Sequence, residues 1–233
     1  MRATGGAGSG LLSIMSQHPV IDIDNLSVRF GGKTVLEGVS LAVTPGEKLT
    51  LTCRSGCGKS TLLRCLLGFV PWKADRLAIE GTSLSTTTVW RLRRKMAYVP
   101  QEPQLSRGQT REVIAAAFQY RANELKRTNL SRLEELFEKF LLDPALLSEP
   151  VGSLSGGEKQ RVVLIAALLL ERSILLLDEA SSALDPDSKK AVAAEIAARS
   201  DLTVLSIAHD TRGFNFGGRI ADFDDLRSAE VAR

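Results

Sequence analysis

Three short segments, in a fixed order, constrain this chain more than its composition does: SGCGKST at 55–61, LSGGEKQR at 154–161 and ILLLDEA at 174–180. In the first, Gly56 and Gly58 remove the Cβ atoms that would keep a backbone away from an anion. Successive N–H groups and the start of the following helix can then surround phosphate oxygens. In the second, Ser155 and Glu158 have the spacing of a helix capping box, and Gly156 and Gly157 leave the first amides of that helix bare, a further place for an anion. In the third, Ile174 to Leu177 read as a strand buried on both faces. That strand delivers Asp178 and Glu179 to its C-terminal end, where open α/β sheets place their sites.

The pattern around these segments alternates. Residues 21–30 (IDIDNLSVRF) read as a half-exposed strand, Gly31-Gly32 as a turn, 35–43 as a second strand, and Pro45-Gly46 as the turn into a third at 48–53. A helix is expected at 59–68, with Gly68 as its cap, and a short buried strand at 96–100. Residues 108–150 read as helical, above all LSRLEELFEKFLL at 130–142, where apolar residues recur at helical spacing. Helices at 158–170 and 188–199 and strands at 173–177, 202–208 and 219–223 complete the chain. Strand–helix alternation at both ends implies an α/β fold with a largely parallel sheet covered by helices.

Composition excludes little but helps. The net charge of +3 is too small to argue for a nucleic-acid partner, and Arg91, Arg93, Arg94 and Lys95 read as a solvated helix face. The longest apolar stretch, 162–170, is too short to span a bilayer. The first 17 residues are rich in Gly and Ser and read as a flexible tail. Three cysteines, an odd number without metal-type spacing, predict no disulfide framework and a reducing cytoplasm. Cys57 lies inside the first segment and Cys53 at its base. They read as inert small residues, with oxidation that blocks the loop as the alternative, since a thiol near a helix N-terminus has a lowered pKa.

Together the three segments resemble the ATPase motor of the ATP-binding cassette (ABC) family, over about residues 20–222. The resemblance implies a P-loop NTPase with a RecA-like core at about 18–105 and 158–233. It also implies an N-terminal antiparallel β-subdomain and an α-helical subdomain inserted at about 106–157. ATP and Mg²⁺ are the implied cofactors. Ser55, Gly56, Cys57 and Gly58 would form the phosphate loop, with Lys59 on the β- and γ-phosphates, Ser60 on Mg²⁺ and Thr61 on the α-phosphate. Cys53 stands where the family's loop begins with Gly. Asp178 would hold Mg²⁺ and Glu179 would activate water. Gln101, in YVPQEPQL, matches a glutamine that senses Mg²⁺ or the attacking water. His209, in SIAHD, matches the histidine that supports Glu179 at the γ-phosphate. Phe30 occupies the position that stacks on adenine. Ser155, Gly156 and Gly157 would grip the γ-phosphate held by the opposite subunit, and Asp185, in SALD, belongs to the loop that communicates across that interface.

The same resemblance implies partners. One is a second copy or a homologous cassette, packed head to tail over two shared ATPs. The other is a transmembrane permease that engages the chain through a coupling helix, which would place it on the cytoplasmic face of the membrane as a peripheral subunit. A soluble ABC ATPase of iron–sulfur cluster assembly is the alternative. DNA-repair and translation ATPases carry two cassettes or a long coiled-coil insertion, and neither is present. RLRRKMAYVPQEPQL and KFLLDPALLSEPVGSLSGGEKQR resemble a small-cassette subfamily linked to iron export. A metal ion such as iron is the cargo that this implies.

Overall fold

The computed structural model describes residues 18–52, 56–209 and 214–227; the tail at 1–17, Cys53 and Ser55 lie outside them. In chain order the first elements are β1 (Ile21–Phe30), β2 (Lys33–Val43), β3 (Lys48–Thr52), α1 (Lys59–Leu66), β4 (Arg76–Ile79), β5 (Thr82–Ser83), α2 (Val89–Arg93) and β6 (Met96–Val99). Then follow α3 (Thr110–Ala116), α4 (Leu133–Lys139), α5 (Gly156–Leu169), β7 (Ile174–Asp178), α6 (Pro186–Ala197), β8 (Thr203–Ala208) and β9 (Arg219–Asp222).

Two sheets result. An antiparallel sheet has the order β2-β1-β4-β5, and a five-stranded sheet has the order β6-β7-β8-β3-β9 with every pairing parallel. The parallel strands β7 and β8 are buried along their whole length; β7 accordingly reads as an unbroken apolar run up to Asp178, whereas β8 also buries Thr203 and Ser206. β1 alternates because its sheet has one wet face. β4 and β5 were not expected from the sequence, while α2 carries Arg91 and Arg93 of the helix face that was. The two strands are four and two residues long, too short for a period to register. The local signal is Glu80-Gly81, both at positive φ (47° and 71°), the conformation of a tight hairpin turn.

α1 ends as anticipated. The Gly68 N–H donates to the Cys65 carbonyl and the Phe69 N–H to that of Arg64, both at 2.8 Å, a full Schellman closure. Gly68 sits at φ 65°, and a Cβ there would lie 2.6 Å from Val89 Cγ2. Glycine is therefore required twice over, by backbone conformation and by the approach of α2.

The helical middle departs from its pattern. The α-helix expected at 130–142 is confined to α4, and residues 121–132 form 3-10 turns instead. Side chains there compete for backbone carbonyls: Asn123 donates to Ala117 O, Arg127 to Phe118 O and Asn129 to Leu169 O. α4 stops at a second Schellman closure in which Leu141, at φ 56°, occupies the left-handed position usually given to glycine. Phe118, Phe137 and Phe140 are buried in one cluster with α5 and with Leu177 of β7. That shared core fixes the helical segment against the strand that ends in Asp178.

Candidate active site

Strand register assembles the site. In the parallel sheet Thr52 pairs with Ala208, and Asp178 pairs with Ile207. The C-terminal ends of β3, β7 and β8 are thus abreast, and the segments leaving them start side by side. One leads to the loop before α1, one to Glu179 and one to His209.

Gly58 caps α1 at φ 99°, and Gly56 has φ 85°. A Cβ on Gly58 would lie 2.5 Å from Leu36 Cδ2 and 3.0 Å from Val35 O, so β2 itself presses on the loop. The Cys57 carbonyl accepts a hydrogen bond of 3.0 Å from Arg227 Nη2. Lys59 begins α1 and is only 4% exposed. Burial lowers its pKa, while the carboxylates of Glu179, Asp178 and Asp222 pull it back up. A cation held this way among carboxylates suits a phosphate that brings further negative charge.

Ser60 Oγ donates to Asp178 Oδ1 at 2.9 Å, and the Tyr98 hydroxyl donates to Asp178 Oδ2 at 3.0 Å. Asp178 is 3% exposed. Burial, then the Asp178 carboxylate, pushes the Tyr98 phenol up to about 12. Ser60, Tyr98 and Asp178 line a cavity of about 520 Å³ with Arg64 and Gln101.

Glu179 has φ 50°, a left-handed conformation that costs a non-glycine residue energy. Its N–H still donates to Ile207 O at 3.0 Å, so the turn out of β7 stays tied to β8. The turn brings the Glu179 carboxylate to His209, with Oε1 2.8 Å from Nε2. Glu179 is largely buried while His209 is about half exposed. The arrangement is a desolvated carboxylate steadied by an imidazole, beside a buried lysine and a hydroxyl–carboxylate pair. It can bind a polyphosphate and orient a water against it.

Comparison with known proteins gives the family. A family model described as ABC transporter matches residues 36–182. The chain belongs to the ABC transporter family. It carries that family's ATP-binding ATPase domain. It is similar to the "Fe(3+) ions import ATP-binding protein FbpC 3" of Rhodococcus jostii, with 34% identity over 217 residues, 91% of this chain and 61% of that one. It is also similar to the "Methionine import ATP-binding protein MetN" of Rhizobium johnstonii, with 38% identity over 224 residues, 92% of this chain and 61% of that one. Among solved structures, a bacterial Atm1-family ABC exporter with ATP bound superposes with a TM-score of 0.75 at 27% identity, covering 93% of this chain and 39% of that one. The chain spans 61% of the length of the Rhodococcus and Rhizobium relatives. No helix among the described residues is long and apolar enough to cross a membrane.

Within this ABC cassette the remaining expected residues are distributed. Gln101 is exposed and lines two clefts, one with Ser60 and Asp178 and one of about 360 Å³ with Gly156, Ser182 and Ala183. Ser155 to Gly157 therefore do not share the Ser60–Asp178 cavity. Ser155 and Glu158 close a capping box, with the Ser155 N–H donating to Glu158 Oε2 at 2.7 Å and the Glu158 N–H to Ser155 Oγ at 3.3 Å. The sequence reading of Gly157 is incomplete: a Cβ there would lie 2.8 Å from the Ala183 carbonyl, so it also serves close packing, whereas Gly156 meets nothing. Asp185 caps α6, accepting from the N–H groups of Asp187 and Ser188 and from Ser188 Oγ. Those bonds hold its pKa down at about 2. Phe30 is 43% exposed at the end of the β1–β2 hairpin, an open ring face.

Cys57 corrects one expectation, for it is disulfide-bonded. An odd cysteine count only guarantees a thiol left over, and that thiol is Cys65, free, buried and pushed up to about 12 by burial. Three residues near the site escaped sequence reasoning. Tyr98 holds Asp178, Arg227 holds the phosphate loop, and Gln160 Nε2 donates to Pro100 O at 3.1 Å, tying α5 to the residue before Gln101. Tyr98 alone left a trace, a polar tip in the buried strand MAYV.

Proposed function

We propose that this chain hydrolyses ATP as the nucleotide-binding subunit of an ABC transporter, working as a head-to-tail dimer with two shared ATP sites. The observation that carries the reading is the juxtaposition of Ser60 with Asp178 and of Glu179 with His209 at the ends of adjacent parallel strands. The loop at 55–58 and the start of α1 wrap the phosphates, Lys59 neutralises them, and Thr61 extends the cradle. Phe30 offers its face to the adenine. Ser60 and Asp178 supply the hard oxygens that Mg²⁺ accepts beside waters and phosphate oxygens. When bound, Mg²⁺ supplies charge neutralisation at the phosphates.

Glu179 then takes the water's proton or aligns the water in line with the γ-phosphate, and His209 holds Glu179 in place. Gly156 lines the second cleft and not the Ser60–Asp178 cavity, which leaves it free to serve a partner's nucleotide. Ser155 to Gly157 meet the partner's γ-phosphate, and Asp185 holds the loop beside them. Gln101 belongs to both clefts, so a change at the phosphates reaches the helical segment and from there a permease. The chain acts as one ATPase unit over 18–233, with its helical subdomain at about 106–157. It sits at the cytoplasmic face of the membrane.

Support for transport comes from relatives named for import. Their cargoes differ, Fe(3+) in one and methionine in another. We assign a metal ion such as iron, on the Fe(3+) relatives and on the iron-export texture of the segments flanking Gln101 and Ser155. The deciding experiment captures partners with tagged Glu179→Gln protein and Mg-ATP from detergent-solubilised host membranes. A stoichiometric multi-span membrane protein supports the motor reading. A soluble partner without one replaces it with an iron–sulfur assembly ATPase. Lys59→Ala protein should lose most ATP binding, and retained binding would refute the nucleotide site itself.

A further inference from the structure

Asp178 is held from two sides, and only one of them follows from the loop–strand pairing described above. Tyr98 pairs with Leu176 across the β6–β7 ladder. Leu176 and Asp178 share a face because strand side chains alternate with period two. The Tyr98 ring lies on that same face and is long enough to reach one pair further along. Its hydroxyl meets Asp178 Oδ2 at 3.0 Å while Ser60 takes Oδ1. Among the four residues of β6, Tyr98 is the one not fully buried. It opens onto the cavity that Ser60, Gln101 and Asp178 line. Packing alone would be met by an apolar residue, as at its strand neighbours Ala97 and Val99.

We propose that Tyr98 is a positioning residue for the metal–nucleotide complex. It fixes the Asp178 carboxylate by one oxygen so that the other is presented, with the Ser60 hydroxyl, to the cation that accompanies the nucleotide. A carboxylate free to turn about its terminal torsion would sample several orientations in this cavity. A phenol donor on Oδ2 removes that freedom before the ligand arrives. It also keeps a nearly inaccessible oxygen from being left without a donor. The inference rests on the reading of Ser60 and Asp178 as the metal-facing pair.

The test uses Tyr98→Phe, which deletes only the hydroxyl. Mn²⁺ serves as the probe, read by the electron paramagnetic resonance of the free ion in the presence of a non-hydrolysable ATP analogue. Analogue binding in excess chelator and the melting temperature are measured alongside. The expected result is an Mn²⁺ dissociation constant raised about tenfold, equivalent to ~1.4 kcal/mol. Metal-free analogue binding should stay unchanged. An Mn²⁺ constant equal to the parent's overturns the proposal, and so does a change confined to melting temperature, which marks a packing role. Asp178→Asn separates the two levels. If it weakens Mn²⁺ and Tyr98→Phe does not, Tyr98 alone is misassigned. If neither weakens Mn²⁺, the metal-facing reading of Asp178 falls with it.

Discussion

The carboxylate Oε1 of Glu179 lies 2.8 Å from Nε2 of His209, across the C-terminal ends of the neighbouring strands β7 and β8. Glu179 reaches that position through a left-handed backbone at φ 50°, and His209 through the end of a fully buried strand. Two groups so placed act as a unit, and their losses should not add. Glu179→Gln and His209→Ala should each lower steady-state phosphate release by about 100-fold or more, the range of positioned acid–base groups. The double variant should fall no further than the worse single one. Multiplying losses would mean that the two side chains serve separate steps.

Gly157 lies under the Ala183 carbonyl, where an added Cβ would come within 2.8 Å of a backbone atom. Gly157→Ala should therefore displace the loop at 182–185 or the start of α5, at a cost of about 1–3 kcal/mol, the usual range for overpacking. Denaturant unfolding measures it. Gly156→Ala meets nothing within 4 Å and should leave stability nearly unchanged. A matching loss in both would show that the close approach is not what selects glycine.

Asp185 has its pKa depressed to about 2 by the hydrogen bonds it accepts as the cap of α6. Its folded value lies below the unfolded one of about 3.9. The carboxylate therefore contributes stability that is full above the unfolded value and is lost as pH falls through the folded one. Melting temperature followed from pH 6 to 2 should show less acid sensitivity between about 4 and 2 in Asp185→Asn than in the parent. Identical acid limbs would remove Asp185 from the account.

Cys57 is disulfide-bonded, and it lies in the segment we propose folds around phosphates. A residue tied into a disulfide has fewer conformations with which to follow a ligand. Reduction with dithiothreitol should raise the affinity for a fluorescent ATP analogue, and Cys57→Ser protein should bind equally with and without reductant. An affinity unmoved by reduction in the parent would make the bond neutral to binding.

Most of the elements, and the residue types from which a phosphate site is expected, are legible in the amino-acid sequence. Glycines at 56 and 58, the Lys59-Ser60 pair and an apolar run ending in Asp178-Glu179 are local patterns. Their meaning needs only backbone sterics, charge and the alternation of strands and helices. β7 was legible because burial on both faces writes a continuous apolar run, and β3 (KLTLT) because the Pro45-Gly46 turn opens it, while β8 (TVLSIA) mixes Thr203 and Ser206 into its apolar residues. Which atoms meet follows from packing and strand pairing. Register set Asp178 beside Ile207 and so placed Glu179 against His209, and register is a property of paired strands that neither strand encodes alone. Tyr98 could be seen as a polar tip on a buried strand, but its bond to Asp178 exists only because β6 lies beside β7. The 3-10 turns at 121–132 overrode a good helical pattern because Asn123, Arg127 and Asn129 found carbonyls to bind, one of them forty residues away. Propensity is a local term, and packing and hydrogen bonds between distant segments outweigh it wherever they compete.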